Sequence, residues 1–208
     1  MRVMSDIPNT VVHYDTNEQI WVDAVLAFWF EELKPEDWFA TSKALDENIR
    51  HRFSDLHRVL SEQYKDKHYP KDPTERLIGN SRTALATIIV LDQFSRQLYR
   101  GHAQAFAQDA QALMIAKNMV NTGQDVELEG NQRHFIYMPF MHSENIEDQK
   151  KSVALFKAKS GGEDNTWAID HMNIIDRFGR FPYRNKVLSR QNTPEEVEYL
   201  KSAATYGQ

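Results

Sequence analysis

Three polar clusters carry the side chains with the means to do chemistry. In LDQFSRQLYRG (91–101), Asp92, Arg96 and Arg100 fall at i, i+4 and i+8 and so share one helix face. An acid one turn before a base stabilises a helix by itself, so ordinary ion pairing accounts for part of this spacing. In MPFMHSENIEDQ (138–149), His142 and Glu144 flank a helix start, where backbone N–H groups without helical partners draw polar side chains together. Either side chain is suited to general-base work. The third cluster is FGRFPYRN (178–185), which holds two arginines and three aromatics and no acid. Widened to 177–190 it contains Arg177, Arg180, Arg184, Lys186 and Arg190, still without an acid.

An arginine held against aromatic rings presents a rigid guanidinium fork suited to carboxylate or phosphate. The same fork can instead pair with the protein's own Glu144, Asp148 or Asp92, and both readings stand. Arg180 follows the helix-ending Gly179, where turn carbonyls and the helix dipole hold a cation, so it is expected to be mainly structural. Arg184 and Asn185 lie past Pro182, beyond that influence, and are expected to face a ligand. His171 sits on an apolar stripe with Trp167 and Ile175, a setting in which histidine is ordinarily a core residue. With His142 and Glu144 it forms a candidate acid–base set. The same three residues also make a conceivable metal set, but no spacing demands one and HExxH is absent. No metal and no cofactor is expected.

The bulk composition narrows the partners. The 208 residues carry a net charge of −5, 41% apolar and 26% charged residues, the proportions of an ordinary globular chain. Acidity argues against a general nucleic-acid binder, which needs a basic face to displace counterions. With no cysteine there are no disulfides, thiolate nucleophiles or sulfur-ligated zinc sites. MRVMSDIPNT lacks the apolar run of a signal peptide. WVDAVLAFWF (21–30) is too short to cross a bilayer, which takes about 20 residues. A soluble cytoplasmic protein is the default expectation.

The elements that must position these clusters read as helices. Thr16 and Gln19 form a capping-box pair opening a helix to about Glu32. Leu45, Ile49, Phe53, Leu56 and Leu60 mark an amphipathic helix over 43–63. DPTE (72–75) has the N-cap, N1 proline and N3 glutamate of a helix start, and the pattern runs to about Arg100 with Gly101 as the stop. Within it, ATIIVLD (86–92) has the composition of a buried strand, but no Gly or Pro punctuates it, which favours a buried helix. Phe106 to Val120 form a helix that stops at Asn121-Thr-Gly123. Residues 131–141 form a short helix, and Ser143 caps the next, whose first turn is acidic. Trp167, His171, Ile174, Ile175 and Phe178 give a helix closed by Gly179. TPEE (193–196) opens a last one to about Ala204. The expectation is an all-α single domain over 1–208 of about eight helices, with 1–15 and 205–208 as peripheral tails. No regular 34-residue repeat is present, which leaves a degenerate solenoid of helical hairpins or an irregular bundle.

Taken together, FWF (28–30), WF (38–39), LDQFSR (91–96), AFAQDAQAL (105–113), PFMHSE (139–144), DQ (148–149), FGRFPYRN (178–185) and TPEE (193–196) resemble the bacterial family catalogued as domain of unknown function 924. The resemblance spans roughly Val25 to Leu200. It implies an α-helical fold similar to tetratricopeptide repeats, and it supplies architecture without an activity. Carried across by motif, the polar positions of interest are Asp92, Gln93, Arg96, His142, Glu144, Gln149, His171, Arg180, Arg184 and Asn185. The sequence departs from the family pattern twice: LSR (188–190) stands where the pattern has LGR, and SRQ (95–97) where it has PRN.

Three functional expectations follow. The first is a polar pocket, with His142, Glu144 and His171 on one wall and Arg180, Arg184 and Asn185 on the other, binding a small anionic molecule or a peptide carboxylate. The second is a hydrolase in which Glu144 or His142 is the base and the arginines stabilise developing negative charge. The third is a scaffold whose arginine cluster is purely internal.

Overall fold

A computed structural model of the chain describes residues 18–203 together with Val11. Every regular element among the described residues is helical. The α-helices are α1 (Glu18–Ala27), α2 (Pro35–Trp38), α3 (Lys43–Tyr64), α4 (Ser81–Ile88), α5 (Ser95–Leu98), α6 (Asp109–Asn121), α7 (Gly130–His142), α8 (Ile146–Lys159), α9 (Thr166–Phe178) and α10 (Pro194–Leu200). Two π-helical turns, Phe28–Glu32 and Ile89–Phe94, continue α1 and α4, and short 3₁₀ turns cover Ala103–Phe106, Gln124–Glu127 and Pro182–Arg184. No described helix is long and apolar enough to cross a membrane.

The capping chemistry explains most boundaries. Ser42 accepts from the Leu45 amide at the start of α3, and Asn165 from the Ala168 amide at the start of α9. Gly179 ends α9 with φ of 67°, a left-handed conformation that costs glycine nothing. Thr193 and Glu196 close the reciprocal capping box that opens α10. Thr16, the first half of the capping pair expected at the start of α1, lies outside the described residues.

Three expectations are corrected. DPTE does not open a helix. Asp72 accepts from the Thr74 amide and hydroxyl, making a local turn, and α4 begins only at Ser81, where Asn80 accepts from the Arg82 and Thr83 amides. The intervening chain is held by α6: buried Asn118 accepts from the Leu77 amide at 2.7 Å and donates to the Glu75 carbonyl at 2.8 Å. That tertiary pairing satisfies backbone groups that a helix would otherwise take. Ser143 does not cap α8; Asn145 does, while the Ser143 hydroxyl donates to Asp148 and accepts from the Asn145 amide. The last helix stops at Leu200 instead of about Ala204. The small PEDW helix, α2, was not anticipated.

ATIIVLD is helical, as its lack of breakers implies, but its second half widens into the π turn. α3 packs on this π turn and on α5, and α1 packs on α4. α6, α7, α8 and α9 then pack each on the next in chain order. The main core is unusually aromatic: Phe28, Phe53 and Phe94 contact one another, and Trp29 meets Phe94 and Phe135 edge-on. Such ring pairs add about 0.5–1.5 kcal/mol each beyond burial. A second apolar cluster, Ile174, Ile175 and Phe181, lies beneath the arginine-rich segment.

Candidate functional site

Asp92 and Gln93 lie in the π turn and are buried. A π turn carries an extra residue, which rotates the following side chains relative to a regular helix, and such turns concentrate at functional sites. Asp92 is fully buried. Its Oδ1 accepts from His142 Nδ1 at 2.8 Å and sits 3.2 Å from Arg96 Nη1, and its Oδ2 accepts from the Gln93 amide. Arg96 also donates to the Asp92 backbone carbonyl at 2.6 Å and reaches both oxygens of Asp109 at 3.1 and 3.2 Å. Asp109 in turn accepts from Arg184 at 3.2 Å. Arg184 is 4% exposed, with its guanidinium 4.5 Å from the ring centres of both Phe106 and Phe181. Its Nε has no hydrogen-bond partner among the described residues.

Gln93, Arg96, His142 and Arg184 border a cavity of about 430 Å³. Gln93, Arg96, Gln97, His142, His171 and Arg184 contribute its polar lining; Trp38, Phe39, Phe106, Met138, Met141 and Trp167 its apolar lining. The cavity is graded by depth. Gln93, Gln97 and Arg184 are 3%, 5% and 4% exposed, whereas Phe39 and Trp167 are each 60% exposed and so stand at the mouth.

The electrostatics are set by burial and by the Asp92 node. Burial pushes the Asp92 carboxyl upward, but Arg96 and His142 outweigh it and hold the group ionised, well below the usual carboxylate range. Burial lowers His142, with Arg96 adding to the effect against the pull of Asp92, so the imidazole is neutral near pH 7. Its Nδ1–H then donates to Asp92, which leaves Nε2 for the cavity. Burial brings His171 down to about 4, and its Nδ1–H donates to the Trp167 carbonyl at 2.8 Å. Burial likewise brings His134, another lining residue, down to about 4.

The candidate residues divide into two groups. His142, His171, Gln93, Arg96 and Arg184 meet at the cavity, with Asp92 directly behind them. Glu144, Arg180, Asn185 and Gln149 do not line it. Glu144 accepts two hydrogen bonds from Arg190, at 2.7 and 2.9 Å, and one from the Phe181 amide at 2.8 Å. Burial raises its carboxyl, but these donors win and keep it ionised. A carboxylate so engaged is a clamp for the 178–190 segment, with three of its acceptor positions taken. Arg180 forms a two-pronged pair with Glu196, at 2.7 and 2.8 Å, a partner the sequence reading did not name. Asn185 is fully buried between Asn192, Glu196 and Arg190. Gln149 donates to the Met141 and Ser143 carbonyls, satisfying the C-terminal end of α7. The two-wall arrangement expected from sequence is therefore replaced by an inner site and an outer clasp.

Asp109 and His134 escaped the sequence reading. Asp109 lies within AFAQDAQAL, a segment already singled out, so a signal existed, whereas His134 offered none beyond residue type. Arg190 was named in the basic run, but its pairing with Glu144 was not foreseen. Among the described residues no group of three or more His, Asp or Glu side chains is placed to hold a metal.

The family model for a bacterial protein of unknown function, DUF924, matches residues 25–204. Among solved structures, that of a protein of unknown function, ATU0120, from Agrobacterium tumefaciens superposes with a TM-score of 0.76 at 30% identity, covering 90% of this chain and 100% of that one. No curated protein matches the chain. A helical fold throughout, a family match from residue 25 to residue 204 and a solved neighbour of the same length scale converge: the chain belongs to the DUF924 family.

Proposed function

We propose that the protein binds a small organic anion in the cavity bordered by Arg184, Arg96 and His142. The observation that carries this reading is Arg184, a buried guanidinium that borders the cavity and whose side chain makes a single hydrogen bond among the described residues, to Asp109. A guanidinium desolvated between aromatic rings and with most of its donors unused gains a strong, charge-assisted hydrogen bond from a carboxylate or phosphate oxygen. The cavity volume falls in the range of small-molecule sites. Successive packing of α6 to α9 also supports a stacked-hairpin arrangement similar to tetratricopeptide repeats, a fold that offers concave ligand surfaces.

The test is a thermal-shift screen of organic acids and phosphates on the wild type and on Arg184→Lys. A ligand at a hundred times its dissociation constant raises stability by about 2.7 kcal/mol, which is a midpoint shift of about 5–11 °C at this chain length. Arg184→Lys keeps the charge, loses the fork and is expected to lose most of that shift. If no anion moves the wild-type midpoint, the arginine cluster is an internal staple and the scaffold reading takes over.

A second reading rests on a different observation, the 2.8 Å contact between Asp92 and His142. A buried carboxylate on Nδ1 fixes the tautomer and supports the imidazolium formed when Nε2 takes a proton. His142, rather than Glu144, would then be the base of a hydrolase, with Arg96 and Arg184 facing the developing negative charge. The check is hydrolysis of a panel of esters and amides: turnover that survives His142→Asn excludes this mechanism.

A further inference from the structure

The cavity carries information on which class of anion it takes, an inference that rests on the binding reading above. Around the polar lining, two guanidiniums, Arg96 and Arg184, face two carboxylates, Asp92 and Asp109, and the bordering histidines are neutral. Arg100, the remaining lining arginine, holds Asp46 through two hydrogen bonds of 2.9 Å. The charges are thus already balanced. A phosphate dianion would bring two further negative charges to within reach of Asp92 and Asp109 in a low-dielectric setting, where repulsion is strong. A monocarboxylate brings one. It also suits the Arg184 guanidinium, which lines the cavity and whose side chain makes a single hydrogen bond among the described residues, to Asp109.

The rest of the cavity describes the body that this carboxylate must carry. Toward the mouth the lining turns to Trp38, Met138 and Met141, which are mostly buried, and then to Phe39 and Trp167, which are exposed. Methionine adapts to irregular shapes, and aromatic faces favour flat apolar partners. A volume of about 430 Å³ holds one or two rings, not a folded peptide. Two large aromatic side chains left 60% exposed at one opening are poorly placed for stability but well placed to grip such a body.

We infer that the cognate ligand is a flat, apolar-bodied monocarboxylic acid that enters carboxylate first, its head at Arg184 and its rings between the methionines and the Phe39–Trp167 mouth. Calorimetric titration of the full chain with 3-phenylpropionate, indole-3-acetate, acetate and phenyl phosphate tests this. The two aryl carboxylates are expected to bind at least about tenfold more tightly than acetate, from the apolar area covered, and more tightly than phenyl phosphate. Trp167→Ala and Phe39→Ala, with folding checked by thermal melts, are expected to shrink the aryl-over-acetate ratio by about fivefold or more. Phenyl phosphate binding as tightly as 3-phenylpropionate in an Arg184-dependent way would overturn the monocarboxylate assignment while leaving anion binding intact. An aryl-over-acetate ratio unchanged in both mouth variants would overturn the aromatic grip. Absence of binding by all four probes, and by inorganic phosphate, would remove the anion reading itself and this inference with it.

Discussion

Asp92 is the residue on which the charge balance of the interior turns. It is buried with Arg96 and His142 on one oxygen, and Arg96 is shared with Asp109. Replacing it with Asn preserves shape and most hydrogen bonds but leaves Arg96 and Arg184 with Asp109 alone. Removing one partner of a buried ion pair costs about 3–5 kcal/mol. Asp92→Asn should therefore melt about 6–20 °C lower, and a loss under about 2 °C would mean that Asp109 compensates the cluster unaided. Ser189 supplies a prediction of the opposite sign. It is the one non-glycine residue with positive φ among those described, at 54°, in the turn that follows the arginine-rich segment. A side chain in the left-handed region costs about 1–2 kcal/mol, part of which glycine forfeits through greater freedom when unfolded. Ser189→Gly is expected to raise the melting midpoint by about 1–3 °C; a decrease would show that the turn is not strained by its side chain.

At the scale of elements, the chain from Thr74 to Asn80 shows how tertiary pairing overrides a strong local signal. DPTE has the residues of a helix start, yet Asn118 of α6 binds the Leu77 amide and the Glu75 carbonyl and holds the backbone out of a helix. Asn118→Ala removes both bonds and leaves partly buried backbone groups without partners, at a cost of about 2–3 kcal/mol. Amide exchange in residues 74–80 should accelerate well before exchange in α3 or α6 does. If that segment instead gains protection, the local signal has reasserted itself and formed the helix that Asn118 suppresses. The π turn at Ile89–Phe94 is a second case. Periodicity identifies the segment as helical, but nothing in it distinguishes a regular turn from a widened one, and Asp92 and Gln93 lie in the widened turn.

For the whole molecule, the buried histidines couple folding to pH. Burial lowers His57, His134 and His171 from 6.5 to about 4. Each binds a proton in the unfolded chain at a pH where the folded chain leaves it neutral. Acid therefore favours unfolding, starting below about 6.5 and continuing to about 4. Each histidine contributes up to about 1.4 kcal/mol per pH unit in that window. Below it, Glu196, held down to about 2 chiefly by Arg180, adds a loss in the same direction. The melting midpoint is expected to fall steeply from pH 6.5 to pH 4. His57→Gln, which retains a donor for Ser95, is expected to flatten that slope. A midpoint constant between pH 7 and pH 5 would contradict the neutral-buried assignment of all three.

The sequence by itself determined the helical class, most helix ends and the grouping of residues worth watching, because these depend on short-range physics. Capping boxes, the Gly179 stop and 3.6-residue periodicity act within a few residues, so they are legible along the chain. It also marked Asp92, Arg96, His142, His171 and Arg184, five residues that do assemble at or behind one cavity. Tertiary structure decided their roles. The difference expected between Arg180 and Arg184 followed from distance along the helix dipole, but the partners came from packing: Arg180 clasps Glu196, and Arg184 is enclosed by Phe106 and Phe181. Glu144 has the residue type of a base, but a partner 46 residues away, Arg190, occupies it. Which carboxylate meets which guanidinium depends on contacts between distant segments, and nothing local encodes that choice. The same holds for the cavity, whose charged depth and aromatic mouth come from separate elements that only packing brings together.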